Sequence, residues 1–452
     1  MKRRGQQDIV MKEAALPGLR AGQGVSQAFA RLKVAAEADR TRGFNNLLNI
    51  IDEPLLRSAF HSIKDNVASG TDGITKKRYG ENLEGNLREL LAKLHTGSYK
   101  PSPSRQVNIP KGDGRLRPIA ISNVEDKIVQ RAIAFILEAI YEPLFTESSL
   151  GFRPRRGCHT AIKKAYHLLK EGKRPAVIDV DIEKFFNSMN HGRLMGLLRK
   201  KIADRRFLSL VGKLLKTGTL ADGGKEVVNE IGSPQGSVVS PILANIFLHY
   251  VLDDWFRANE EGHYKRMVRY ADDVIFCFRN QEDAGSFMDR LKERLHEYQL
   301  RLNEGKSKVI DFKAGKHTVF NFLGFMFYWG RDGKGRYLLK LKTEPEKLRA
   351  KILEFKLWIR SNRNRFALKT LWKEAAMKLS GHYAYFALTF NNRVWAYYEI
   401  CLKLLFKWLN RRSQKWSFTW EKFSNRLKRN PLPRPYLADR LMFRQDVFDF
   451  AV

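Results

Sequence analysis

The chain has 452 residues and 52.4 kDa, with 82 lysines and arginines against 48 aspartates and glutamates, a formal charge of +34. With 43% hydrophobic and 12% aromatic residues it can bury the cores of two or three domains, which excludes a disordered chain. Because the positive excess runs along the whole chain, it points to a polyanionic partner, nucleic acid before an anionic membrane surface.

In chain order, residues 1–44 mix glycine, alanine and charge and read as a loosely ordered basic arm. From Leu47 to Leu94 apolar residues recur at helical spacing, broken by SGTDG at 69–73. RQVNIPKGDGRLRPIAIS (105–122) reads as a hairpin with basic residues at a glycine-rich tip, and Val124 to Tyr141 as a helix stopped by Pro143. Pro175–Val180 is an apolar strand ending on acids, 193–216 a helix, and 237–256 a second helix entered through SPQGS. Met267–Phe278 is two β-rich runs meeting at ADD, and Glu282–Leu302 is a helix with Phe287, Leu291 and Leu295 on one face. A last hairpin turns at GRDGKG (330–335), and beyond 343 the spacing is helical only. There Leu348, Ile352, Phe355 and Ile359 form one core stripe, and Tyr397, Cys401, Leu404 and Trp408 another. Lys403, Lys407 and Arg411 fall on a different face, which in so basic a chain makes them candidates for RNA contact.

Cys158, Cys277 and Cys401 stand far apart without a CxxC pair, so neither a disulfide scaffold nor a cysteine-built zinc site is written here. The N-terminus has no apolar run like a signal sequence, and the apolar stretch Ala132–Ile140 is too short to span a bilayer. The expectation is a soluble, cytoplasmic protein with no membrane partner.

The sharpest local feature is Tyr270-Ala271-Asp272-Asp273 at a hairpin tip. Adjacent carboxylates repel and raise each other's pKa unless a cation sits between them, and oxygen-ligated Mg²⁺ suits nucleotidyl transfer. On its own the tetrapeptide is weak, since a solvated turn explains it equally well. A second acid site strengthens it: Asp179 and Asp181 alternate at the end of the strand Val177–Val180, so a period of two sends both to one side. Laid beside the hairpin, that strand end would gather Asp181, Asp272 and Asp273 around a metal pair, with Phe186 beside the sugar of an incoming nucleotide.

These residues belong to a longer ordered set: RQVNIPKGDGRLRPIAI, GFRPRRGCHTAI (151–162), DIEKFFNSMNH (181–191), GSPQGSVVSPILANIFLHYVLD (232–253), RYADDVIF (269–276), LNEGKSKV (302–309) and FNFLGFMF (320–327). In that order they resemble the reverse transcriptases encoded by bacterial group II introns. LSGHYAYF (379–386) through NPLPRP (430–435) is similar to the thumb and maturase region of a subset of that family. The resemblance implies an α+β right-hand polymerase, fingers and palm with an antiparallel sheet, followed by an all-α thumb. It divides the chain into the arm at 1–44, fingers and palm at 45–342, thumb or maturase domain at 343–412 and a short basic region at 413–452. No Cys/His zinc-nuclease motif follows NPLPRP, so members lacking the HNH endonuclease are the match, and DNA nicking is not expected.

The resemblance also implies roles. Asp181, Asp272 and Asp273 would bind two Mg²⁺ ions, with Mn²⁺ able to substitute, and Lys306 would protonate the leaving pyrophosphate. Lys111 and Arg117 would hold the triphosphate, Phe186 would screen against a 2′-hydroxyl, and Gln235 with Gly236 would line the nucleotide pocket. The partners implied are structured RNA such as a group II intron, an RNA template with its DNA primer, and dNTPs, in a bacterial cytoplasm or on its nucleoid. Asn187, Ser188 and Asn190 stand where the family often has an Asp-Asn pair and a later Asp, and Ser237 replaces a frequent glycine. Two rival readings remain: a non-catalytic RNA-binding splicing factor, and a domesticated relative working in defence or DNA repair. The intact acids argue against the first, and only genomic neighbourhood separates the second.

Overall fold

Runs of apolar residues become strands or helices according to what closes them: a turn with positive φ, or a side-chain cap. The computed structural model describes residues 27–110, 116–170, 175–220, 226–227, 230–260, 266–412 and 419–437. Its strands in chain order are β1 (Ser104–Pro110), β2 (Leu116–Ile121), β3 (Ala176–Val180), β4 (Thr219–Leu220), β5 (Glu226–Val227) and β6 (Arg266–Tyr270). They continue with β7 (Asp273–Phe278), β8 (Lys308–Asp311), β9 (Val319–Phe322), β10 (Phe325–Arg331) and β11 (Tyr337–Thr343). With the helices around them these make an α+β fold, as expected. The chain divides into two compact units, each described by itself.

The first unit takes the chain to Arg156, Ile182–Asn259 and Lys292–Arg301. Its centre is the helix Val124–Tyr141, apolar on nearly every side and buried accordingly. Against it pack the helices Gln27–Ala38, Glu53–Ser62 and Ser240–Leu248. Over 27–38 the first of these replaces the loose arm expected at 1–44, whose residues 1–26 lie outside the described ones: Phe29, Leu32 and Ala36 share a helical face, and Phe29 meets Phe135 edge-on, so burial outweighs a composition rich in small and charged residues. The sheet of this unit runs β2-β1-β4-β5, with β1 and β2 antiparallel from Arg105↔Ile121 to Pro110↔Leu116, the hairpin the sequence predicts. The single helix expected over 193–216 is two, His191–Arg199 and Arg205–Lys216. Asp204 ends the run by capping the second helix through the amide of Phe207, and it also accepts from the amide of Leu48.

The second unit holds Gly157–Asp181, Glu260–Leu291 and Leu302 onward. Its main sheet runs β6-β7-β3-β8 with every neighbour antiparallel. Ala176–Ile178 and Val274–Phe278 are fully buried, and Phe287 on the helix Gln281–Glu297 packs on Phe276 and Phe278 at 4.7 and 5.0 Å between ring centres. The last hairpin of the sequence reading is three strands, β11-β10-β9. Leu323 and Gly324, both with positive φ, make the tight turn between β9 and β10. From Pro345 every described element is a helix: Pro345–Asn362, Leu368–Phe386, Arg393–Leu409 and Trp420–Arg429. Their shared core includes Phe355, Ile359, Tyr397, Cys401 and Trp408, with Leu348, Ile352 and Leu404 packed against it, so both apolar stripes are core. Asn391 ties this bundle to β11, accepting from the Thr343 amide and donating to its hydroxyl.

Candidate active site

Strand register brings the acids together. Val180 on β3 pairs with Val274 on β7, so the next residue on each side is Asp181 and Asp273. Tyr270 pairs with Asp273, leaving Ala271 and Asp272 as a two-residue turn in which Ala271 takes φ +57°. The period of two puts Asp179, paired across Ile275 and facing Lys308 on β8, on the same side as Asp181 and Asp273. Segment 303–307 clamps Asp181: the Asn303 amide donates to its carbonyl at 2.8 Å, and its own amide donates to Ser307 Oγ at 3.2 Å. Lys306, raised by this clamp, donates from Nζ to Asp181 Oδ2 at 2.6 Å.

The electrostatics are those of crowded acids. Burial first, then the neighbouring charges of Asp272 and Asp181, pushes the Asp273 carboxyl up to about 6. Burial, then Asp273 and Asp181, pushes Asp179 up to about 7. Among the described residues no three histidine, cysteine, aspartate or glutamate side chains close around one point as a finished metal cage. The Lys306 ammonium takes one oxygen of Asp181. The donor set still fits a divalent cation: three carboxylates, hard oxygen ligands, whose mutual repulsion such an ion would remove.

Sequence reasoning missed Arg269. Its guanidinium is completely buried beneath the turn, and Nη1 donates to the Ala271 carbonyl at 3.0 Å, fixing the loop that carries Asp272. An arginine in an apolar strand carries no local signal of such a role; only its position beside the acid pair does.

The nucleotide-pocket candidates lie in the first unit. Phe186 sits in the short helix Phe185–Ser188, and its carbonyl accepts from the Ser233 amide at 2.7 Å. The Gly232 amide donates to the Met189 carbonyl, and Gln235 Nε2 donates to Asn187 Oδ1 at 3.1 Å. At the other end of this loop the Ala120 amide of β2 donates to the Gln235 carbonyl at 2.7 Å. The structure therefore brings Phe186, Gln235 and Gly236 together and joins them to β2, which carries the exposed Arg117 three residues before Ala120. Lys111 lies outside the described residues. The family departures have local work: Asn190 caps the helix His191–Arg199 through the Arg193 amide, and the Ser237 hydroxyl donates to Gln130 Oε1. Lys403 and Lys407 are exposed on the helix Arg393–Leu409, with Arg411 just beyond its end.

Comparison with known proteins follows the same path. Residues 109–327, which include β2, both halves of the acid cluster and the loop at Gln235, match the family described as reverse transcriptase (RNA-dependent DNA polymerase). Protein YkfC of Escherichia coli is 31% identical over 365 residues, 72% of this chain and 94% of its own. The chain belongs to the reverse transcriptase family. The group II intron-encoded protein LtrA of Lactococcus lactis subsp. cremoris is 36% identical over 192 residues, 42% of this chain and 32% of LtrA. The putative COX1/OXI3 intron 1 protein of Saccharomyces cerevisiae is 36% identical over 335 residues, 62% of this chain and 39% of that protein. This reverse transcriptase is thus of the group II intron and maturase kind, although it spans only about a third of the two intron-encoded relatives. Its substrates are RNA and other nucleic acid, and its family works with divalent metal ions. No helix among the described residues is long and apolar enough to cross a membrane.

Proposed function

We propose that this reverse transcriptase extends a DNA primer on an RNA template, holding two Mg²⁺ ions with Asp181, Asp272 and Asp273, and that it also binds group II intron RNA and assists its splicing. The observation that carries the polymerase reading is the register of β3 on β7, which sets Asp181 against Asp273 beside the Asp272 turn. Bound ions would supply positive charge for the triphosphate and a primer 3′-hydroxyl that ionises more easily. The hydroxyl gives up its proton to solvent, its oxygen attacks the α-phosphorus, a new P–O bond forms, and the bond to the β-phosphate breaks to release pyrophosphate. Lys306 carries the proton the leaving pyrophosphate takes up, and Arg117, with Lys111, grips the triphosphate. Phe186 would screen against a 2′-hydroxyl on the incoming nucleotide, and Gln235 and Gly236 would wall its pocket. Lys403, Lys407 and Arg411 support the RNA-binding half of the reading through charge.

The test is extension of a DNA primer annealed to RNA, with dNTPs and Mg²⁺, by wild type and by Asp272→Ala. Wild type should extend, and the variant should lose about a thousandfold or more in rate while keeping its RNA affinity. Undiminished extension by Asp272→Ala would overturn the metal assignment.

A further inference from the structure

Three guanidinium groups converge on one indole in the C-terminal helical region. Arg360, Arg363 and Arg411 lie 6.0, 5.1 and 5.3 Å from the centre of the Trp408 ring. Arg360 is in the last turn of the helix Pro345–Asn362 and Arg363 just beyond it, while Arg411 follows the helix Arg393–Leu409. Arg363 is pinned between the two chain segments: Nε donates to the Arg411 carbonyl at 3.1 Å and Nη1 to the Arg360 carbonyl. Nearby, Arg412 Nη2 donates to the Phe366 carbonyl.

The ordinary explanation of basic residues here is that they cap helix ends. Two helix C-termini supply roughly half a negative charge each, about one in all. Against that stand four guanidiniums, and none of the four has a carboxylate partner among the described residues. A surplus of about three positive charges is left, on groups already stacked or hydrogen-bonded in place. Like charges held this close are relieved by an anion, and a guanidinium whose rotamer is fixed loses little entropy on binding one. Arg363 uses two of its five N–H donors on carbonyls, which leaves three to offer. Arg360 and Arg411 are exposed and able to reach outward.

We infer that the Arg360–Arg363–Arg411 cluster on Trp408 is a preformed seat for the phosphodiester backbone of structured RNA, a contact separate from the polymerising acids. This inference rests on the proposed RNA-binding function and names the side chains that perform it, with Lys403 and Lys407 as flanking charge. Base-specific readout is not expected, because guanidiniums stacked on an indole present donors suited to phosphate oxygens and no aromatic face for a base.

The test uses the full chain and a generic RNA hairpin, with affinity measured across a salt series. Arg360→Gln/Arg411→Gln removes two exposed charges and leaves in place the hydrogen bonds that Arg363 donates to the backbone carbonyls of both residues. Each lost phosphate contact should lower the log–log salt slope by about 0.7–0.9, so the double variant should bind about 25- to 60-fold more weakly at 0.1 M salt. Lys64→Gln/Lys77→Gln, two exposed lysines of the first unit, is the charge-matched control and should change little. An unchanged slope in the arginine double, or an equal drop in the control, overturns the seat while leaving RNA binding by the wild type intact. A wild type that extends primers but shows no salt-dependent grip on the hairpin overturns the RNA-binding reading itself, and the seat with it.

Discussion

Gly236 lies against β2 in the loop proposed to wall the nucleotide pocket, and replacing it with alanine perturbs one contact of known geometry. Its φ is +109°, a region that L side chains rarely enter, at a cost of about 1–3 kcal/mol. A Cβ there would stand 2.5 Å from the Ala120 carbonyl oxygen and 2.8 Å from Ile119 Cγ2. The first neighbour is backbone of a paired strand and cannot swing away, so the misfit adds about 1–3 kcal/mol more. Gly97→Ala is the internal control: φ is +78°, but nothing lies within 4 Å of the added atom, so only the backbone term of about 1–2 kcal/mol applies. Urea denaturation should place Gly236→Ala below Gly97→Ala by about 1–3 kcal/mol. If the loop relieves the clash by shifting, the 2.7 Å bond from the Ala120 amide to the Gln235 carbonyl is lost instead. The dNTP KM in primer extension should then rise while Gly97→Ala leaves it unchanged. Equal stability and equal KM for the two variants would refute the claim that close approach to β2 demands glycine and sets the pocket wall.

Phe186→Ala should admit ribonucleotides, raising their kcat/KM relative to dNTPs by about 10- to 200-fold, and an unchanged preference in competition assays would remove Phe186 from sugar selection. His382 is buried with its ring stacked on Tyr397 at 3.8 Å, and burial, then the charge of Lys351, holds it down at about 4 against an ordinary 6.5. The unfolded chain therefore takes up a proton below about pH 6.5 that the folded chain refuses until about pH 4, so stability falls as pH drops through that window. The gap amounts to at most about 3 kcal/mol. His382→Phe should flatten that part of the stability profile in urea titrations at pH 7 and pH 4.5, and parallel profiles for variant and wild type would disprove the assignment.

The parts of this fold that could be read from sequence are those where local pattern and tertiary contact agree. β6, β7 and the turn between them were legible because two apolar runs flank a polar pair, and β3 because its acids come at its end. β8 was not, since KVID is short and carries its lysine outward on a sheet edge. The break at Asp204 was hidden because apolar periodicity continues through it, and a capping carboxylate that also serves the distant Leu48 amide leaves no mark in a local window. The same limit explains Arg269: its role comes from an αL alanine two residues on, which only the folded turn reveals.

What sequence alternation did convey was the register, and register is the functional variable here. A slip of one residue between β3 and β7 would turn Asp179 and Asp181 to the opposite face while Asp273 stayed, and the cluster would vanish. The chain resists that slip on both sides of β3: Val177, Ile178 and Val180 are buried between β7 and β8, and Asp181 is tied to Asn303 and Ser307. The upward shift of the Asp179 and Asp273 carboxyls, both raised by burial and then by neighbouring carboxylates, is therefore held in place by apolar packing. A sheet that merely needed to be stable would relax by placing a neutral residue at any one of these positions. On the proposed function, Asp179, Asp181 and Asp273 are kept on one side because a cation would enter there, which is why the geometry of an ordinary antiparallel pair becomes an argument about chemistry.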